Sequence, residues 1–140
     1  MSDLKERIGN ILCKVQLATL ATVTAEGKPW VRYVMTVADS NLTVRCATMV
    51  GARKVAQIAA HPEVHITCGC TNPMEMGPYL QVQGRAVLNT SEEARHGFWS
   101  DMLAPIFSGP DDPEYGVIEI VPYRIEYVAP GSHEPEVWTA

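Results

Sequence analysis

Arg32, Thr48, Arg53 and Lys54 are the residues whose types and spacing could do chemistry, and that chemistry is anion binding. From Leu42 to Val64 the chain reads LTVRCATMVGARKVAQIAAHPEV. Leu42, Val44 and Cys46 alternate with Thr43, Arg45 and Ala47, the period of a half-buried strand. The alternation breaks at Thr48-Met49-Val50-Gly51-Ala52. Val55, Ile58 and Ala59 then fall at helical spacing until His61-Pro62 stops the helix. A hydroxyl, a glycine and the Arg53-Lys54 pair thus sit beside a helix N-terminus, whose N–H groups and dipole favour a negative guest. Cations at that end oppose the dipole, a cost that a ligand phosphate offsets. The alternative is a solvated Arg-Lys pair on a surface turn. Arg32, in mid-strand between Trp30 and Val34, is costly unless paired. Its partner is either a carboxylate such as Glu26 or Asp39, or the same anion.

Other chemistries find less support. Cys68-Gly-Cys70 invites a metal or redox reading, but on an alternating strand both thiols share the face of Ile66 and read as small core hydrophobes. No second Cys or His pair has zinc spacing around them, so no metal is expected. Asp111-Asp112 lacks the ligand spacing of a calcium loop and reads as a solvated turn. No Ser/His/Asp set or paired acid/base carboxylates are evident, so a bound cofactor must carry any redox step.

The elements that position these residues follow from period and punctuation. Residues 1–16 read as an amphipathic helix, with Ser2 as N-cap and Leu4, Ile8, Ile11, Leu12 and Val15 on one stripe. Leu17–Thr24 and Pro29–Val37 read as strands joined by the turn Ala25–Lys28, and Asp39-Ser40-Asn41 turns the chain into the third strand. Val64–Cys68 is the fourth strand. Tyr79–Leu88 is the fifth, with Gly84 a bulge or a point of close approach. Thr90 and Glu93 have capping-box spacing and open a helix to about Ala104. Val117–Tyr127 closes the domain as a strand pair or one long strand bent at Pro122, and residues 130–140 form an extended or mobile tail. So many short antiparallel strands with short connections imply a mainly β barrel with flanking helices, in one domain spanning residues 1–140.

Composition narrows the class. Hydrophobic residues make up 46% and charged residues 19%, an ordinary globular balance. A formal net charge of −5 argues against general nucleic-acid binding. No apolar run has spanning length and no signal-peptide pattern opens the chain, so no membrane association and a cytoplasmic location are expected.

Gly27-Lys28-Pro29 with Arg32, then Thr48 with Arg53-Lys54-Val55, then His61-Pro62-Glu63-Val64, resemble the FMN-binding split barrel of pyridoxamine 5′-phosphate oxidase and its relatives. Phe98-Trp99 and Gly109-Pro110-Asp111-Asp112-Pro113 look more like the small bacterial general stress proteins of that group. The resemblance runs from Leu17 to Val128. It implies a six-stranded antiparallel split β-barrel and a homodimer with FMN at two sites between subunits. It also implies a flavin-dependent oxidoreductase with a stress-related role and a small-molecule redox partner that the sequence does not identify. Arg32, Arg53 and Lys54 correspond to the family's phosphate-binding cations and Thr48 to its threonine; Val34, Met35 and Thr36 correspond to residues lining the flavin ring. Departures stand beside these matches. Ala52 replaces a frequent serine, Val37 a lysine and Tyr79 a flavin-contacting glutamine, and the oxidase's C-terminal substrate-binding segment has no counterpart. Flavin binding therefore survives the comparison better than oxidase activity. The alternatives are a non-catalytic flavin carrier or sensor, or a related barrel binding deazaflavin. Haem is the least supported, for want of an axial ligand.

Overall fold

Alternation of apolar and polar residues builds one antiparallel sheet that curls until its outer strands meet. The computed structural model describes residues 3–140. Helix α1 (Asp3–Leu12) precedes strands β1 (Gln16–Val23), β2 (Pro29–Ala38) and β3 (Val44–Met49). Helix α2 (Arg53–Ala60), strands β4 (Glu63–Cys68) and β5 (Tyr79–Asn89), and helix α3 (Glu92–Phe98) follow. Strands β6 (Tyr115–Val128) and β7 (Glu136–Thr139) end the chain. The strand order is β3-β2-β1-β4-β5-β6-β7, and pairing of β3 with β6 closes the first six into the expected barrel. Closure removes the free edges that an open sheet would present. No helix among the described residues is long and apolar enough to cross a membrane.

Inward residues from every barrel strand make the core. Leu20, Val44, Ile66, Leu80, Val82, Ile118, Ile120 and Ile125 are fully buried, and α1 adds Ile8 and Leu12. Each such side chain contributes about 1.5–3 kcal/mol of burial. A smaller cluster lies apart, where Phe107, Tyr115 and Val117 pack with Phe98, Trp99 and Leu103. Trp99 meets the Tyr115 ring edge-on at 5.6 Å, and the Tyr115 hydroxyl donates to the Arg95 carbonyl at 2.9 Å. This cluster fastens the segment from α3 to Phe107 onto the barrel.

Strand β6 runs unbroken past Pro122. Its register against β5 shifts between Gln83 and Gly84, leaving Tyr123 as the extra residue. A Cβ on Gly84 would lie 2.9 Å from both Ile120 Cγ2 and the Val121 oxygen, so the close approach requires glycine.

Several expectations need correction. The helix of residues 1–16 is shorter: α1 ends at Leu12, and Gln16 opens β1 while its amide donates to the Ile11 carbonyl. The proposed cap Ser2 lies outside the described residues. Ser91, not Thr90, caps α3 by accepting from the Ala94 N–H at 3.1 Å. That helix stops at Phe98 because Trp99 and Phe107 turn aside to pack on Tyr115, with a short 3-10 turn at Asp101–Leu103 between them. Cys70 does not share the Cys68 face, since Gly69 takes a φ of +115° and ends β4. Burial pushes the Cys68 thiol up to about 12. The Asp111-Asp112 turn is held rather than merely solvated. Asp112 accepts from the Ser108 and Glu114 N–H groups, and Asp111 lies 2.6 Å from His96. Part of the tail is ordered as β7, fastened where Arg7 donates to both Glu136 oxygens.

Candidate functional site

Strand β2 presents Arg32, Val34, Thr36 and Ala38 inward and Met35 outward, as strand alternation requires. Arg32 sits opposite Leu20 of β1, next to α2. Its Nη1 donates to Thr22 Oγ1 at 2.7 Å and more weakly to the carbonyls of Leu20 and Trp30. Its Nη2 donates to Gln57 Oε1 at 3.0 Å. Neither Glu26 nor Asp39 partners it, which corrects the carboxylate expectation: Asp39 is taken by Arg45 of β3 at 2.8 Å.

The first turn of α2 brings Arg53 and Lys54 to the same place. Burial, then repulsion from Arg53, lowers the Arg32 pKa. Burial chiefly lowers that of Lys54, with Arg32 adding to the effect. Arg53 lies over the Trp30 ring, 5.8 Å from its centre. The ion pairs of the described residues engage Arg7, Arg45, Arg85, His96 and Arg124, and none includes Arg32, Arg53 or Lys54. Ala52 caps α2 with no side-chain acceptor, so of the first-turn donors only the Val55 N–H, which donates to the Ala52 carbonyl at 3.0 Å, is given a partner by the cap. Three cations are thus gathered without a paired carboxylate among the described residues, in a chain of net charge −5.

A cleft of about 480 Å³ opens beside Lys54. The barrel supplies Met35, Thr36, Val37, Thr48 and Met49, and the segment from α3 onward supplies a wall of Phe98, Met102, Leu103, Ile106 and Phe107. Thr36 is 1% exposed, and its Oγ1 has no hydrogen-bond partner among the described residues. A buried hydroxyl left without a partner costs free energy. Thr48 Oγ1 instead donates to the Met49 carbonyl at 3.0 Å. Of the residues expected from sequence, Met35, Thr36, Thr48 and Lys54 line the cleft, Arg32 lies near Lys54 and Arg53 near Arg32 without forming part of the lining, and Val34 packs in the main core. Tyr79 lies at the start of β5, outside the lining. Sequence reasoning missed Thr22, Gln57 and the apolar wall. Only the helical spacing from Lys54 to Gln57 hinted at the second of these.

Thiol chemistry is not built into the site. Cys46, on β3 near Lys54, is pushed up to about 11 by burial and stays a thiol at neutral pH. Among the described residues no group of three or more His, Cys, Asp or Glu side chains is arranged to hold a metal.

Comparison with known proteins agrees with this architecture. The family described as pyridoxamine 5′-phosphate oxidase matches residues 4–129. General stress protein 26 of Bacillus subtilis (strain 168) is 34% identical over 133 residues, covering 95% of this chain and 94% of that protein. The crystal structure of general stress protein 26 from Bacillus anthracis str. Sterne superposes with a TM-score of 0.84 at 27% identity, over 100% of both chains. A Clostridium acetobutylicum structure related to general stress protein 26 shares the fold with a TM-score of 0.82 at 13% identity, covering 99% of this chain and 96% of that one.

Proposed function

The chain belongs to the pyridoxamine 5′-phosphate oxidase family and is a homologue of general stress protein 26, and on that premise we propose that it binds FMN as a homodimeric flavin-dependent oxidoreductase. The observation that carries the reading is the uncompensated cation cluster of Arg32, Arg53 and Lys54 beside a cleft holding an orphan buried hydroxyl. The residues present fit the group. A phosphate monoester is doubly charged and suits an Arg fork with an added ammonium. The apolar cleft walls suit a planar ring system, and Thr36 Oγ1 would meet one of its polar atoms. When bound, FMN supplies hydride and electron transfer; the protein holds, orients and shields it.

This chain's own residues limit what the site accepts. Val37 forms part of the cleft wall where the oxidase has a lysine, so a second phosphorylated ligand finds no further cation there. The basic groups at hand are committed to one phosphate. Pyridoxamine phosphate is therefore a poor substrate for this site, and no Gly-rich dinucleotide fingerprint offers a nicotinamide donor a cradle.

A second copy of the chain completes the cleft. The outward faces of β1 and β2 present Leu17, Val31, Tyr33 and Met35 to solvent, Tyr33 at 71% exposure, and Met35 also borders the cleft. An apolar face of that extent supports a partner surface. Light scattering that gives a monomer with full FMN occupancy would remove the dimer.

The deciding experiment is the absorption spectrum of the purified protein with identification of the chromophore released on denaturation, followed by titration with FMN and riboflavin. Equal affinity for the two would overturn the phosphate cradle, and release of a deazaflavin would reassign the cofactor. Anaerobic mixing with NADH, NADPH and pyridoxamine phosphate is expected to leave the flavin unbleached. Rapid bleaching by pyridoxamine phosphate would restore the oxidase reading.

A further inference from the structure

Arg32 is held by a closed ring of hydrogen bonds that contains no anion. Nη1 donates to Thr22 Oγ1, Nη2 donates to Gln57 Oε1, and the Thr22 hydroxyl donates its own proton to the same Gln57 oxygen. Every atom in this ring has a defined role. The Gln57 carbonyl oxygen has no proton to give, so the Thr22 hydroxyl is the donor between them, and that carbonyl accepts from both Thr22 and Arg32. Thr22 is 1% exposed, which makes the arrangement stiff. The choice of acceptor decides the electrostatics. A carboxylate at position 57 would hold the guanidinium equally well but would cancel its charge, as Asp39 and Glu119 do for Arg45. The amide fixes the fork and leaves its charge intact beside Arg53 and Lys54.

We propose that Gln57, seconded by Thr22, is the positioning residue that makes the cradle select a phosphate monoester over the corresponding neutral alcohol. Gln57 does not touch the ligand; it acts by aiming Arg32 without neutralising it. The inference rests on the FMN reading of the cradle and adds to it a residue that sets the specificity.

The test measures FMN and riboflavin affinities in parallel, by quenching of flavin fluorescence, on the full chain freed of ligand. In Gln57→Glu, FMN affinity is expected to fall at least about tenfold while riboflavin stays within about twofold, since only the phosphate feels the lost charge. FMN binding also becomes less sensitive to salt, one of three cations having been neutralised. In Gln57→Met, which loosens the fork without adding charge, the FMN loss is smaller and riboflavin is again spared. Thermal unfolding of each ligand-free variant reports its folding separately. An unchanged FMN-to-riboflavin ratio in Gln57→Glu overturns the proposal, as does an equal loss of both ligands. A wild-type protein that does not discriminate between the two flavins instead overturns the cradle itself, and this inference with it.

Discussion

Arg32 and Arg45 occupy neighbouring strands of one barrel, both half-buried, and meet opposite environments. Arg45 donates through Nη1 to Asp39 at 2.8 Å and through Nε to Glu119 at 2.9 Å, and Glu119 is held in turn by Asn89. Arg32 has only neutral acceptors and two further cations nearby. Within one fold, one arginine is given its counter-charge by the protein and the other is not. The pair teaches what to look for in a cation proposed to bind a ligand: burial is similar, and what differs is whether the protein supplies the counter-charge.

The sharpest break in the comparison is expected from removing each arginine in turn. Arg32→Ala should weaken FMN binding by about 1.5–3 kcal/mol, the range for hydrogen bonds to charged groups, and Lys54→Ala should act alike. Titration by flavin fluorescence checks both. If FMN binding is untouched in both variants, the unpaired cations have no ligand role. Arg45→Met should instead cost about 1–2 kcal/mol of folding stability, discounted for partial exposure, and leave FMN affinity unchanged. Denaturant unfolding of the ligand-free protein measures the first and titration the second.

Thr36→Val tests the cleft itself, with an expected effect of about 1 kcal/mol in each of two opposite directions. Removing an unpartnered buried hydroxyl should stabilise the ligand-free fold and weaken flavin binding together. A variant that loses stability in the ligand-free state would mean the hydroxyl has a partner already.

The smallest expected effect is the response to acid. Arg45 and backbone donors hold Asp39 below the ordinary carboxylate range despite its burial, and Asn89 and Arg45 do the same for Glu119. Groups whose folded pKa is depressed contribute stability above their unfolded pKa and lose it as pH falls through the folded value. Unfolding free energy should therefore decline as pH drops below about 5, and the decline should be shallower in Arg45→Met, where Arg45's share of the depression is gone while that of Asn89 and the backbone donors remains. Urea unfolding at several pH values gives the slopes, and identical slopes in the two proteins would argue against the Arg45 ion pairs.

Local order in the sequence was enough for the barrel and for the idea of an anion site. Alternation in Val44 and Cys46, the break at Gly51 and the stop at His61-Pro62 are signals carried by neighbours in the chain, and the structure keeps them as β3 and α2, although Leu42 falls before β3 with a φ of +67° rather than inside the strand. The cationic character of Arg32, Arg53 and Lys54 was legible for the same reason, because charge is a property of residue type. What the tertiary structure alone decided is partnership. Arg32 could have taken Asp39, but Asp39 lies beyond the far end of β2, where the β2–β3 register brings Arg45 within reach. Gln57 reaches Arg32 across 25 residues of sequence and Glu119 reaches Arg45 across 74, through strand register and helix docking that no local pattern encodes. The orphan hydroxyl of Thr36, the apolar wall from Phe98 to Phe107 and the ordered β7 belong with them. Each depends on which surfaces meet when the sheet closes, and closure is set by the summed packing of the core rather than by any one stretch of the chain.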